Sequence, residues 1–221
     1  MIDWVQHYHD EKRKEVDKKG GPGSGHWGHA GRPGMVGGSQ SGGLYLSLGK
    51  HARRNARLGI MDCQNHGLST GNERVICLDN AGSKFGSIDG TNDTCFIPND
   101  ILDRTEVMIH NHPSSSSFSP EDIAIFMTEP TMKHSMVIGH DGTLYRLSKT
   151  DKTPAMPENW AEGFPPIKKL YEAAVQKNFY EYQSRVLEGK IAGGVMWKQH
   201  THEVSIEVSK ALNLDYRRVV P

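Results

Sequence analysis

A pair of histidines and a nearby aspartate indicate that this chain binds a metal ion. The run VMIHNHPSSSSFSPED places His110 and His112 one residue apart and Asp122 ten residues further on. In an extended strand, residues i and i+2 point to the same side, so both imidazoles can reach one point at the strand end. Asp122 can add an oxygen ligand when it lies at the start of the next helix and the loop folds back over the strand end.

This ligand set is typical of a catalytic zinc site. Two histidines and one carboxylate leave the fourth tetrahedral position of Zn2+ for water, whereas structural zinc sites are closed by four protein ligands. Zinc lowers the pKa of that water to about 7, but a nearby carboxylate must accept the proton and pass it to the leaving group. Glu73, at the start of a predicted strand, is the candidate for that role.

The elements that would position these residues are a mixture of strands and helices. Residues 73–79 are rich in strand-forming residues and predict a strand, and a second strand followed by a turn fits residues 83–91. Residues 94–97 and 106–110 are the third and fourth strand candidates. Ser119 is the predicted N-cap of a helix, with Pro120 at its first position and acidic residues in its first turn. Asp141 and Gly142, between two apolar runs, predict a β-hairpin. The core is therefore predicted to be mixed α and β.

Further helices are predicted on either side of this core. Residues 45–60 have a helical pattern, and apolar residues recur at helical spacing from Ile167 to Val186, with Gly193 and Gly194 as the predicted end. A second C-terminal helix is predicted, and its apolar face consists of Val204, Val208, Ala211 and Leu212.

The sequence divides into four predicted regions. They are a charged N-terminal helix (1–19), a flexible Gly-rich linker (20–43), a catalytic domain (44–150) and a C-terminal helical extension (151–221). The linker holds 11 of the 24 glycines of the chain, and no local core offsets the backbone entropy of such a composition.

Composition narrows the functional classes. The chain has 26 acidic and 26 basic residues, so its charge does not favour nucleic acid or an anionic membrane as a partner. Three scattered cysteines do not form a disulfide framework, and no stretch of about 18 apolar residues or signal peptide is visible. We therefore expect a cytoplasmic protein, and the sequence leaves its oligomeric state open.

The run HNHP followed by Ser-x-x-Asp, with a glutamate opening an upstream strand, resembles the motif of the JAB/MPN (JAMM) zinc metalloproteases. The resemblance is strongest to the RadC-like branch and covers roughly residues 59–149. It implies a cytidine-deaminase-like α+β core, in which a mixed sheet is flanked by helices. One departure from the common family form is that six residues, not seven, separate His112 from Ser119.

The same resemblance implies a role for each residue of the motif. It makes His110, His112 and Asp122 the ligands of Zn2+, Glu73 the catalytic acid and base, and Ser119 a hydrogen-bond donor to the oxyanion of the transition state. The implied reaction is hydrolysis of a peptide or isopeptide bond.

Several alternatives remain open at this stage. Glu106 precedes His110 by four residues on the same strand face, but about 13 Å away, so Glu73 is preferred. A binding or structural module that keeps the motif without peptidase activity is the alternative function, because the RadC-like motif alone implies no secure reaction. A nuclease is disfavoured by the lack of a basic patch. Residues 25–39 resemble Gly-rich stretches of phage head-associated proteins, which suggests a phage or prophage origin, with a host cytoplasm or virion location.

Overall fold

A computed structural model of the chain describes residues 48–191 and 193–221. The predicted N-terminal helix (1–19) and the predicted Gly-rich linker (20–43) lie outside the described residues. No helix within the described ranges has the length and apolar character needed to cross a membrane.

The described residues form a mixed sheet of six strands flanked by helices. In chain order the elements are α1 (Lys50–Thr70), β1 (Arg74–Leu78), β2 (Lys84–Asp89), α2 (Asn99–Leu102), β3 (Val107–His112), α3 (Pro120–Thr128), β4 (His134–Gly139), β5 (Leu144–Ser148), α4 (Trp160–Leu187), α5 (Gly193–Ala211) and β6 (Asp215–Val219). The predicted α/β class is therefore confirmed at this level, including the helices after residue 150.

The strands lie in the order β2-β1-β3-β4-β5-β6, which puts β3 in the interior of the sheet. Only the pair β3 and β4 is parallel among the described strands, and α3 makes the crossover between them. All six residues of β3 are buried. The carboxyl end of β3 and the start of α3 therefore lie at the same edge of the sheet.

Two hydrophobic clusters cover the two faces of the sheet. Successive strand residues alternate between them: Val75 and Met108 belong to the larger cluster, whereas Ile76 and Ile109 belong to the smaller one. Residues of α3, α4 and α5 pack in the larger cluster, and residues of α1 pack in the smaller one. Side chains at even positions of β3 thus face α3 and α4, and those at odd positions face α1.

Helix α1 packs closely on the sheet because its buried face carries small residues. That face consists of Ala56, Gly59, Ile60, Cys63 and Gly67. A methyl group on Gly59 would lie 2.9 Å from Cδ1 of Ile109, so the helix approaches β3 too closely for a larger side chain there.

The structure corrects one strand prediction and contains one strand that was not predicted. Residues 94–97 do not form a strand; Ile97 packs against the larger cluster, but this segment joins no strand ladder among the described residues. Strand β6 was not predicted, because its sequence DYRRV carries the charged residues of an edge strand and lacks an apolar run. It pairs with β5 and completes the sheet.

Three predictions about the C-terminal helices were also wrong. Helix α4 starts earlier than predicted, at Trp160, where the side chain of Asn159 accepts a hydrogen bond from Ala161 N. It ends at Leu187 and is followed by Gly189 with a φ of +70°, so Gly193 does not end it and instead starts α5. Ala211 is exposed, whereas Val204, Val208 and Leu212 are buried as predicted.

Candidate metal centre

The end of β3 and the start of α3 bring three predicted ligands together. His110 and His112 project from the same face of β3, and Asp122 lies in the first turn of α3. One ligand atom from each of the three residues lies within 4.8 Å of the others, and together they could hold a metal ion. The predicted grouping of His110, His112 and Asp122 is therefore present in the fold.

The distances within this group fit a tetrahedral ion. The Nε2 atoms of His110 and His112 are 3.1 Å apart. Asp122 Oδ1 is 3.2 Å from His110 Nε2, and Asp122 Oδ2 is 3.3 Å from His112 Nε2. Ligand atoms bound at about 2.0 to 2.1 Å in a tetrahedron are separated by about 3.3 to 3.4 Å. Two nitrogen donors and one oxygen donor at these separations are suited to a divalent transition metal.

Burial and charge favour a charged arrangement at this site. Burial alone would raise the pKa of Asp122, but the charge and hydrogen bonds of the two histidines hold that pKa well below its usual value. Burial would likewise lower the pKa of His112, but Asp122 and Glu73 raise it to about 9. The carboxylate is thus anionic, and a cation, either a proton or a metal ion, is favoured beside it.

The second ring nitrogen of His112 is oriented by the loop that follows β3. His112 Nδ1 lies 3.2 Å from the carbonyl oxygen of Ser116 and 3.3 Å from its hydroxyl. Such a contact commonly fixes the tautomer of a metal-binding histidine and leaves Nε2 for the metal. His110 Nδ1 is buried and has no hydrogen-bond partner among the described residues.

Glu73 lies at the edge of the same centre. Its Oε1 atom is 4.0 Å from His112 Nε2, and its side chain is only 12% exposed. Burial raises the pKa of this carboxyl, against the charges of the two histidines. The alternative, Glu106, lies just before β3, at the opposite end of that strand from His112, and pairs with Lys133 at 3.0 Å. Only Glu73 of these two glutamates contacts the histidine pair.

Ser119 is the N-cap of α3, as predicted. Its Oγ accepts a hydrogen bond of 3.0 Å from Asp122 N, and its own N donates one of 2.8 Å to Asp122 Oδ2. This reciprocal capping box fixes both the start of the helix and the orientation of the Asp122 carboxylate. Ser119 is therefore linked by hydrogen bonds to the metal ligand candidate Asp122, although only six residues separate it from His112.

Other histidines and cysteines lie elsewhere. His200 contacts the Val175 carbonyl, and His202 contacts the Tyr216 hydroxyl. Cys63 is buried and directs its thiol to the Ile109 carbonyl. None of them joins His110, His112 and Asp122 in the part of the chain that the structure describes.

One residue that contacts the main chain beside Glu73 was not predicted from the sequence. Asn111, between the two histidines, has its side chain buried on the opposite face of β3, where it bonds the main chain on both sides of Glu73. The only sequence signal was its place inside the HNHP run, which does not reveal a contact with a residue nearly 40 positions away.

Comparisons with protein-family models, curated proteins and solved structures found no match to this chain. A functional assignment therefore depends on the geometry of the site and on the chemistry of its residues.

Proposed function

We propose that the protein is a zinc-dependent hydrolase of the JAB/MPN type, which cleaves a peptide or isopeptide bond. The observation that supports this proposal is the combination of a three-residue ligand group with a carboxylate at its edge. His110, His112 and Asp122 supply the ligand atoms, and Glu73 lies 4.0 Å from His112 Nε2 without belonging to that group.

The ligand set supports zinc with an open position. Two imidazoles and one carboxylate are a common set in catalytic zinc sites, whereas structural sites use four protein ligands. Bound there, zinc would act as a Lewis acid and lower the pKa of a water molecule to about 7. The buried positions of His110 and His112 keep their Nε2 atoms directed at one point, so the ligands need little rearrangement.

Glu73 is proposed as the group that moves the proton. Its Oε1 atom lies 4.0 Å from His112 Nε2, outside the ligand set, and it would accept a proton there and release it to the leaving amine. The main chain of Glu73 is fixed, because its N donates to the Thr91 carbonyl at 2.7 Å and its carbonyl accepts from Gly90 N at 2.9 Å. A base with a fixed backbone can stay close to the centre during a reaction.

Ser119 is proposed as a donor to the developing oxyanion. Its Oγ accepts a hydrogen bond from Asp122 N, which uses a lone pair and leaves the hydroxyl hydrogen for donation. Helix capping and oxyanion stabilisation are therefore compatible in this residue. One such donor commonly accounts for about 3 kcal/mol of transition-state stabilisation.

The proposed substrate is a protein or peptide, in line with the RadC-like resemblance and the balanced charge of the chain. The resemblance of residues 25–39 to phage head-associated proteins suggests a phage or host protein as the substrate, in a host cytoplasm or a virion.

A peptidase screen with paired proteins tests this function. The zinc-loaded wild type and Glu73→Gln are incubated with a peptide library and with isopeptide-linked dipeptides, and cleavage is followed by mass spectrometry. The proposal expects cleavage by the wild type and its loss in Glu73→Gln. A wild type that holds zinc and cleaves neither class would instead favour a binding or structural module.

A further inference from the structure

The side chain of Asn111 is fully buried in the strand that carries the metal-site histidines. His110 and His112 face α3 and α4, whereas Asn111 points to the other face of the sheet, towards α1. A buried amide needs partners for its oxygen and its nitrogen, because an unpaired polar group in the interior is strongly unfavourable.

The partners of this amide are the main-chain groups on either side of Glu73. Asn111 Oδ1 accepts a hydrogen bond of 2.8 Å from Arg74 N, and Asn111 Nδ2 donates one of 3.0 Å to the Asn72 carbonyl. The amide oxygen can only accept a hydrogen bond, and the amide nitrogen can only donate one. The N–H and carbonyl partners therefore define the orientation of the amide.

The two hydrogen bonds of Asn111 lie just beyond the point where the main-chain pairing of β1 with β3 ends. The antiparallel pairing of β1 with β3 runs from Leu78 and Val107 to Val75 and His110 and goes no further. Beyond it, the main chain of β3 continues to pair with β4. Without the amide of Asn111, the Asn72 carbonyl and Arg74 N would face β3 with no partner from that strand.

Glu73 is consequently held from two sides. Its own N and carbonyl bond to Thr91 and Gly90 on one side, while the Asn72 carbonyl and Arg74 N bond to Asn111 on the other. In extended backbone, the main-chain groups of one residue and those of its two neighbours point to opposite sides, so the two sets of bonds act independently.

We propose that Asn111 is a positioning residue, which holds the carboxylate of Glu73 at the metal centre through the two peptide groups that flank it. The inference rests on the proposed role of Glu73 and adds a residue that acts on it without touching substrate or metal.

Helix α1 and His140 pack closely against the amide group of Asn111. A methyl group on Gly67 of α1 would lie 2.4 Å from Asn111 Nδ2 and 2.2 Å from His140 Nε2. Asn111 Nδ2 also lies 3.3 Å from His140 Nε2 and can donate its second hydrogen to that nitrogen. Gly67 is therefore required for the amide to reach Glu73's neighbours, and Gly67→Ala should displace it.

The test compares Asn111→Leu with Asn55→Leu. Leucine has the same branching and number of side-chain heavy atoms as asparagine but no polar atoms. Asn55 makes a similar side-chain bond of 2.7 Å to a main-chain carbonyl, that of Gly82, which lies beyond the other end of β1 from Glu73. For each protein, crystal structures give the distance from Glu73 Oε1 to His112 Nε2, hydrogen exchange gives the protection of Arg74 N, and calorimetry gives the zinc affinity.

In Asn111→Leu we expect exchange at Arg74 N to rise by about tenfold, and the Glu73 carboxylate to leave its position 4.0 Å from His112. Zinc affinity should stay within about twofold of the wild type, because the ligands are unchanged. Turnover should fall towards that of Glu73→Gln with KM unchanged. Asn55→Leu should leave all of these quantities unchanged.

Gly67→Ala is the second variant. It tests the positioning role of Asn111 when Asn111→Leu does not fold. It should reproduce the displacement of Glu73 with asparagine still at position 111. The inference is overturned when Glu73 keeps its wild-type position in the folded variant, or when zinc affinity falls together with the displacement. Exchange and structure are also measured without zinc, so a wild type that binds no zinc would contradict the proposed function and leave the test of Asn111 intact.

Discussion

The carboxylate oxygen Oε1 of Glu73 lies 4.0 Å from Nε2 of His112. This separation exceeds a hydrogen bond, and Glu73 is not one of the three residues that could hold the ion. The position is close enough for a carboxylate to act on a group beside the metal. In the proposed mechanism, metal binding and proton transfer therefore depend on different side chains and can be separated by substitution.

Glu73→Gln should keep zinc and lose most hydrolysis. The amide has the shape of the carboxylate but accepts no proton, and a general acid and base contributes about 10²- to 10⁴-fold to the rate. The measurements are zinc content and turnover of the two proteins on any substrate that the screen identifies.

Glu106→Gln is the control for this substitution. Glu106 pairs with Lys133 at the other end of β3, so its loss should leave turnover within about twofold of the wild type. Loss of turnover in Glu106→Gln alone would contradict the assignment of Glu73.

Ser119 can be tested by two substitutions that differ in their effect on the helix. Ser119→Ala should lower the free energy of unfolding by about 1 kcal/mol through loss of the cap, whereas Ser119→Gly should cost only about 0.3 kcal/mol. Both remove the hydroxyl, so both should lower turnover by about 10²- to 10³-fold if it donates to the oxyanion. Turnover that follows stability, with Ser119→Gly nearly as active as the wild type, would show that Ser119 only caps the helix.

The sequence was sufficient for the local parts of the site. His110 and His112 had to share a face because strand side chains alternate, and Ser119 with Pro120 marked the start of α3 by capping chemistry. Glu73 was chosen because it opens a predicted strand, and the family resemblance implied the same residue. Its contact with His112 depends on how β1 and β3 pair, and that register is a property of the whole sheet.

The parts that could not be predicted depend on contacts distant in sequence. Strand β6 is stable because it pairs with β5, and nothing in its own polar sequence indicates this. The segment 94–97 has strand-forming residues, but tertiary packing placed its Ile97 on the core without a strand partner among the described residues. The hydrogen bonds of Asn111 to Arg74 N and to the Asn72 carbonyl likewise join residues nearly 40 positions apart.

The pairing of β6 should contribute measurably to stability. Asp215 on β6 makes an ion pair with Arg146 of β5, whose side chain is only 3% exposed. Asp215→Ala removes one partner of a buried cation and should lower the free energy of unfolding by about 2 kcal/mol. Urea denaturation measures this, with Glu207→Ala as the control, because the Lys177–Glu207 pair is exposed and contributes about 0 to 1 kcal/mol. Equal losses in the two variants would contradict the role given to the buried pair.

Acid should destabilise the fold through His134. Burial, aided by the charges of Arg146 and Lys133, lowers the pKa of this histidine to about 4, and its Nδ1 lies 2.8 Å from Ser148 Oγ. The folded state thus binds the proton more weakly than the unfolded state, whose pKa is about 6.5. The stability from neutral His134 is present above pH 6.5 and is lost as the pH falls towards 4.

The measurement for His134 is the free energy of unfolding at pH 7 and pH 5. Wild type should lose about 2 kcal/mol more than His134→Gln over this interval, because the neutral amide does not titrate. Comparing the two proteins cancels the contributions of the other histidines. An identical loss in both would contradict the low pKa of His134.

The central claim is that His110, His112 and Asp122 hold one metal ion, and zinc titration of the apoprotein tests it most directly. Calorimetry with wild type and His112→Ala, supported by elemental analysis, gives stoichiometry and affinity. We expect about one zinc per chain in the wild type and loss of most of it in His112→Ala, since three protein ligands become two. Full zinc occupancy in His112→Ala would contradict the ligand assignment.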